Sequence, residues 1–181
     1  MTNNVDFCRR LLGNIHSDIY YPIKRSFGQT LATCNLNALI AYTKLSDTKN
    51  STKQNKEFLV AGLCYNTLRA DATNLPGTYV KFEQLLKRLV STNKNANDPR
   101  KKEIERFLQL RYDDNGYFAK RFYTLAKRLI PLLNNNETFD YISLLYDLEN
   151  WDKDNKVKMK WAMAIVNLTN ETENNTEKAG N

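Results

Sequence analysis

Apolar residues recur every three or four positions through most of this chain, with short polar joints between, the pattern of amphipathic helices. Phe7 to Leu12 predicts one short helix, and Leu36 to Leu45 another, ended by the polar loop Ser46–Lys53. Lys56 to Leu68 carries Leu59, Leu63 and Leu68 with small residues between and predicts a largely buried helix. Asn74-Leu75-Pro76-Gly77 is a breaker. Thr78 to Val90 predicts the next helix, with Phe82, Leu85, Leu86 and Leu89 on one face.

The Asn-rich run Ser91 to Asp98 predicts a joint between two subdomains. Asp98-Pro99 is a strong helix start, with Asp as the cap and Pro at the first helical position. That helix is expected to reach about Tyr112. Asp113 to Gly116 predicts a turn. Tyr117 to Leu133 predicts a helix, with Pro131 near its end, where a break is tolerated. A polar loop at Asn134–Thr138, a helix at Phe139–Trp151, a turn at Asp152–Asn155 and a last helix at Val157–Leu168 complete the pattern. From Asn170 on, Asn, Glu and Thr dominate, predicting a disordered tail. The expected fold is all-α: two small helical bundles packed together, residues 1–91 and 98–169, then a tail at 170–181.

Composition agrees. In 181 residues, 41% are hydrophobic, enough for a real core and too many for a wholly disordered chain. Only 6 Gly and 4 Pro argue against a turn-rich β-sandwich. No run reaches the ~18 apolar residues of a membrane span. Met1 to Arg10 lacks a basic region followed by an apolar run, so no secretory signal is expected. Sequons at Asn50, Asn136, Asn167, Asn170 and Asn174 are expected by chance in an Asn-rich chain. The expectation is an intracellular, cytoplasmic protein.

Catalysis has little footing. Cys8, Cys34 and Cys64 lie about thirty residues apart, without metal-ligand spacing, and read as reduced, partly buried thiols. His16 is the sole histidine, in a loop where surface exposure is expected. There is no Walker A and no dinucleotide-binding glycine fingerprint. Asp113/Asp114 and Asp152/Asp154 are acidic pairs, but in turns where Asp serves as a helix cap. No enzyme activity, metal or cofactor is expected.

Charge changes the picture more. The formal net charge is +7. Residues 1–75 carry net +4, residues 76–133 net +7 and residues 134–181 net −4. The most informative segment is Tyr117–Leu133. At about 100° per residue, Phe118, Phe122, Leu125, Leu129, Leu132 and Leu133 cluster on one side. Lys120, Arg121, Lys127 and Arg128 fall within roughly a third of the circle on another, with Tyr117 and Thr124 in the same sector. No acidic residue lies between Gly116 and Leu133 to supply an i,i+4 partner. Such a stripe is either a solvated face or a phosphate-tracking surface. Tyr117 could stack on a base, although packing or plain exposure would also explain it.

Other basic clusters lie at Lys24-Arg25, before the turn-like Ser26-Phe27-Gly28, whose backbone N–H groups could face a phosphate. Arg100, Lys101 and Lys102 stand at the wrong end of their helix for its dipole. Lys156, Lys158 and Lys160 flank the last helix's apolar stripe. Separated clusters suit a long non-specific track. No helix-turn-helix or zinc finger supports base-specific reading.

The C-terminal half resembles the CasB family, the small subunit of the type I-E CRISPR Cascade complex. The resemblance runs from Glu105-Arg106-Phe107-Leu108-Gln109-Leu110 through Leu125-Ala126-Lys127-Arg128-Leu129-Ile130 to Phe139-Asp140-Tyr141. It continues in Leu144-Leu145-Tyr146-Asp147-Leu148, Trp151 and Lys160-Trp161-Ala162, with Lys24-Arg25 and Phe27-Gly28 matching near the N-terminus. The family's paired Arg is Lys127-Arg128 here, which loses one bidentate fork.

The resemblance implies an all-helical, non-catalytic subunit that sits as a homodimer in a guide-RNA complex with other Cascade subunits. It implies contacts with the target and displaced DNA strands through phosphates, stabilising the R-loop in antiviral defence. Lys24, Arg25, Arg106, Lys127, Arg128 and Lys158 are carried over as nucleic-acid-binding residues. Lys120 and Arg121 come from the helical projection. Arg106 reads equally as a buried ion-pair member. Two other functions stay open: an unrelated helical nucleic-acid-binding factor, and a helical adaptor for an acidic protein partner.

Overall fold

The computed structural model describes residues 2–15, 17–68, 77–91, 98–113, 115–153 and 155–177, with side chains described between 4 and 166. His16, Asp114, Asp154, most of the Asn74–Gly77 breaker and the core of the Ser91–Asp98 joint lie outside these residues. Among the described residues the fold is helical apart from two short strands, as the periodicity predicts.

Helix α1 (Thr2–Gly13) starts five residues earlier than expected and buries Phe7, Cys8 and Leu11. A short helix, α2 (Tyr20–Arg25), was not legible, because six residues with Pro22 in the first turn show little periodicity. Helix α3 (Leu36–Thr43) is capped by Asn35, whose side chain accepts the Ala38 N–H at 2.9 Å. Helix α4 (Ser51–Thr67), capped by Asn50, is buried without interruption from Lys56 to Tyr65. It therefore forms the centre of the N-terminal half. Within it, Glu57 is buried and accepts hydrogen bonds from Tyr42 Oη at 2.7 Å and Ser46 Oγ.

The expected helix Thr78–Val90 is in fact strand β1 (Thr78–Val80) followed by helix α5 (Phe82–Ser91). The expected loop Asn134–Thr138 ends in strand β2 (Glu137–Phe139). The strands pair in parallel, with Thr78 opposite Glu137 and Val80 opposite Phe139. Three-residue strands are too short to show period two, and only long-range pairing specifies them.

Asp98 caps α6 (Pro99–Leu108) as predicted, accepting the Arg100 N–H. The helix stops four residues before the expected Tyr112. Beyond it the Leu110 carbonyl accepts Trp151 Nε1 and Lys158 Nζ, each at 2.9 Å. Helix α7 (Tyr117–Leu129) closes in a 3-10 turn, Ile130–Leu132, around Pro131. Asp140 caps α8 (Tyr141–Glu149) by accepting the Ser143 N–H. Helix α9 (Lys156–Glu177) continues into the stretch from Asn170 that the sequence reads as a tail.

Helix α5, grouped by sequence with the N-terminal half, packs on α9, α6 and α7. Its Phe82 ring stacks on Trp161 (4.6 Å between centroids) and on Phe122 (5.3 Å). Phe107, Phe118 and Trp151 extend this aromatic core. The N-terminal half joins it through Phe27, whose ring meets Phe122 and Tyr123.

Candidate nucleic-acid interface

The site is built on α7. Asp113 accepts the N–H groups of Tyr117 and Phe118, satisfying two donors at the start of the helix. Phe118, Phe122, Leu125 and Leu129 are buried as projected. The opposite arc, with Tyr117, Lys120, Arg121, Thr124, Lys127 and Arg128, is exposed or half-buried.

The cations differ in what they touch. Lys120 has no ion pair among the described residues. Arg121 lies 5.9 Å from the centre of the Tyr117 ring, and Lys127 lies 5.4 Å from that of Tyr123. Arg128 reaches Glu103 of α6 at 3.1 Å. Among the described residues, three of the four therefore lack a carboxylate partner.

The segment after α2 docks on this helix. Gly28 has φ +92°, and a Cβ there would stand 2.8 Å from Tyr123 Cβ. Two turns N-terminal to Tyr123, Gly116 faces Thr30. Positions 116, 120, 123 and 127 share one line along α7, and the segment meets that line at 116 and 123, on either side of Lys120. Arg25 is exposed at the end of α2, two residues before Phe27, which packs on α7. Its partner Lys24 is half-buried and donates to Tyr20 Oη at 2.9 Å. The expected backbone cradle at Ser26–Gly28 is not free: the N–H groups of Ser26 and Phe27 close back on the carbonyls of Ile23 and Lys24. Closing the end of α2 consumes those donors.

Arg106 is exposed on α6, one turn beyond Glu103, with no acidic partner among the described residues. Of its two readings, the buried ion pair is not what the structure has. Arg100 is held by Asp98, its Nε 2.9 and 3.0 Å from the carboxylate oxygens. That capping pair explains a basic residue at the wrong end of the dipole. Arg111, not singled out in the sequence, is exposed in the loop leading into α7.

Lys158 stands apart from the arc. Its ammonium donates to the Leu110 carbonyl at 2.9 Å, lies 5.3 Å from the centre of the Trp151 ring and 3.6 Å from Asp152. It fastens the loop before α7 to the α8–α9 turn and is committed there. Lys160 is likewise committed, to the buried Asp147, which also accepts Trp161 Nε1 at 2.9 Å.

Asp113 and Asp152 serve backbone N–H groups, Asp152 accepting that of Tyr112 at 2.8 Å. Among the described residues no three His, Cys, Asp or Glu side chains are placed to hold a metal ion, and no helix is long and apolar enough to cross a membrane. Burial pushes the Cys8 thiol up to about 12 and raises Cys64 further, which keeps both protonated and unreactive.

The family model for CRISPR-associated protein Cse2 matches residues 22–164. The fold is similar to a solved structure described as the crystal structure of M. ruber CasB, with a TM-score of 0.68 and 16% identity, covering 95% of this chain and 97% of that one. No curated protein sequence matches.

Proposed function

The chain belongs to the CRISPR-associated Cse2 (CasB) family of type I-E Cascade subunits, and we propose that it serves there as a non-catalytic clamp on nucleic-acid backbone. The carrying observation is the α7 arc. Lys120, Arg121 and Lys127 have no carboxylate partner among the described residues, and the segment that follows Arg25 docks on the same helix through Phe27 and Gly28.

In this reading the subunit works in the cytoplasm, as a homodimer beside the other Cascade subunits and the guide RNA. The arc contacts the target and displaced DNA strands through their phosphates. R-loop formation is nearly balanced in energy, so modest backbone contacts tip it. The guide reads sequence, and a phosphate track needs no base-specific motif. Arg128, at the end of α7, and Arg106, on α6, extend the track, whereas Lys24 and Lys158 are committed to local contacts.

The test is fluorescence anisotropy of the protein with labelled single-stranded and duplex DNA across a salt series. A variant with Lys120, Arg121, Lys127 and Arg128 all changed to Glu is run beside it. Wild-type affinity should fall with salt. The variant's log–log slope should shrink by up to about 0.7 per lost single-strand phosphate contact. Equal binding by the folded variant would instead favour a surface for an acidic protein partner.

A further inference from the structure

We propose that Tyr117 is a base-stacking platform at the head of the α7 arc, so that this face holds single-stranded nucleic acid by its bases as well as its phosphates. The inference rests on the reading of the arc as a nucleic-acid interface and names the form of strand it takes.

Tyr117 is 56% exposed at the first position of α7. On the helical circle it sits between Lys120 and Lys127 on one side and Arg121 and Arg128 on the other. The Arg121 guanidinium, one turn on, lies 5.9 Å from the ring centre. The Tyr117 hydroxyl has no hydrogen bond among the described residues. Tyr123, on the same helix, shows what a packing tyrosine does here: the Phe27 ring meets it edge-on at 5.1 Å and Gly28 closes on its Cβ. Tyr117 is fixed at its backbone, with Arg121 over one face of its ring and the residue still more than half exposed. Its backbone N–H and that of Phe118 are fixed by Asp113, and Phe118 is buried against Phe107, Tyr112 and Trp151.

The surroundings select the ligand. An isolated aromatic ring among cations is a poor seat for an apolar protein surface and a good one for alternating bases and phosphates. The Asp113 carboxylate beside Tyr117 disfavours a phosphate at that point. The neutral base therefore belongs on the ring, and the phosphates one turn on at Lys120 and Arg121. A paired base inside a duplex offers no free face to such a ring.

The test uses anisotropy with three probes: a labelled DNA single strand, the same strand built of abasic residues, and the duplex. The proteins are wild type, Tyr117→Ala, Tyr117→Phe and Tyr146→Ala, the last an exposed tyrosine on α8. Tyr117→Ala should weaken binding to the normal single strand by about 5- to 100-fold. It should leave abasic-strand and duplex binding and the salt slope unchanged, and Tyr117→Phe should restore affinity. Tyr146→Ala should match wild type. Unchanged binding of the normal strand by Tyr117→Ala, or an equal loss on the abasic strand, would overturn the proposal. Absence of salt-dependent binding by the wild type would overturn the interface beneath it as well.

Discussion

Gly28 sits so close to Tyr123 that a Cβ on the glycine would stand 2.8 Å from the tyrosine's own Cβ. With φ at +92°, the position is also one that L side chains rarely adopt. Both facts follow from one event, the docking of the segment after α2 onto the outer line of α7. Gly28→Ala should therefore destabilise the fold by about 1–3 kcal/mol, from backbone strain and forced displacement together. Thermal unfolding should show a loss of about 2–4 °C per kcal/mol. DNA binding should weaken at a temperature where the variant is still folded, because the segment that follows Arg25 is pushed off the helix that carries the arc. An unchanged melting temperature would mean that the segment is not held this way.

Glu103 holds Arg128 at 3.1 Å and places a negative charge at the edge of the arc. Glu103→Gln removes the competing partner. DNA affinity should rise, with the single-strand salt slope steeper by up to about 0.7 if one further phosphate contact forms. Both partners are accessible, so stability should change by less than about 1 kcal/mol. Weaker binding by the variant would show that Glu103 orients Arg128 rather than competing for it.

Lys158 is fastened to the Leu110 carbonyl and lies beside Trp151. Lys158→Met keeps most of the stem's packing but loses a charge-assisted hydrogen bond, costing about 1.5–3 kcal/mol. A salt series on the folded variant should give the wild-type slope. A slope reduced as much as by Lys127→Glu would return Lys158 to the phosphate track.

Asp147 is buried, and its carboxylate ties α8 to α9 by accepting from Lys160 Nζ and Trp161 Nε1. Asp147→Ala strands the indole N–H and leaves the partly exposed Lys160 ammonium to water and to Glu83, 3.8 Å away. A loss of about 2–3 kcal/mol is expected, read as a lower melting temperature. Asp147→Asn keeps an acceptor and should lose less.

Arg88 grips Glu137 through two hydrogen bonds and lowers its carboxyl from 4.5 to about 2. A carboxylate lowered in the folded state contributes stability above its unfolded value and loses it on protonation. That contribution should be intact above about pH 4.5 and fade towards pH 2. Melting temperatures across this window should fall less steeply for Glu137→Gln than for wild type. Parallel curves would show that the pair contributes nothing to acid sensitivity.

The helical class, the cap at Asp98 and the division of α7 into apolar and cationic sides were legible in the sequence. Each depends on residues within one or two turns of each other, where 3.6-residue periodicity and cap chemistry act directly. The four cations of the arc were found this way. Tertiary structure alone decided which cations are free. Lys127 and Lys158 look alike in sequence, but a carbonyl 48 positions away holds Lys158. The pairing of β1 with β2 likewise joins segments some 59 positions apart, as the Gly77–Asn136 bond does. The turn after α2 reads as an anion cradle until its N–H groups are seen to close on their own helix. Local pattern sets what a segment can become. A side chain's availability depends on which distant groups chain closure brings within hydrogen-bonding range, and no short window of sequence carries that information.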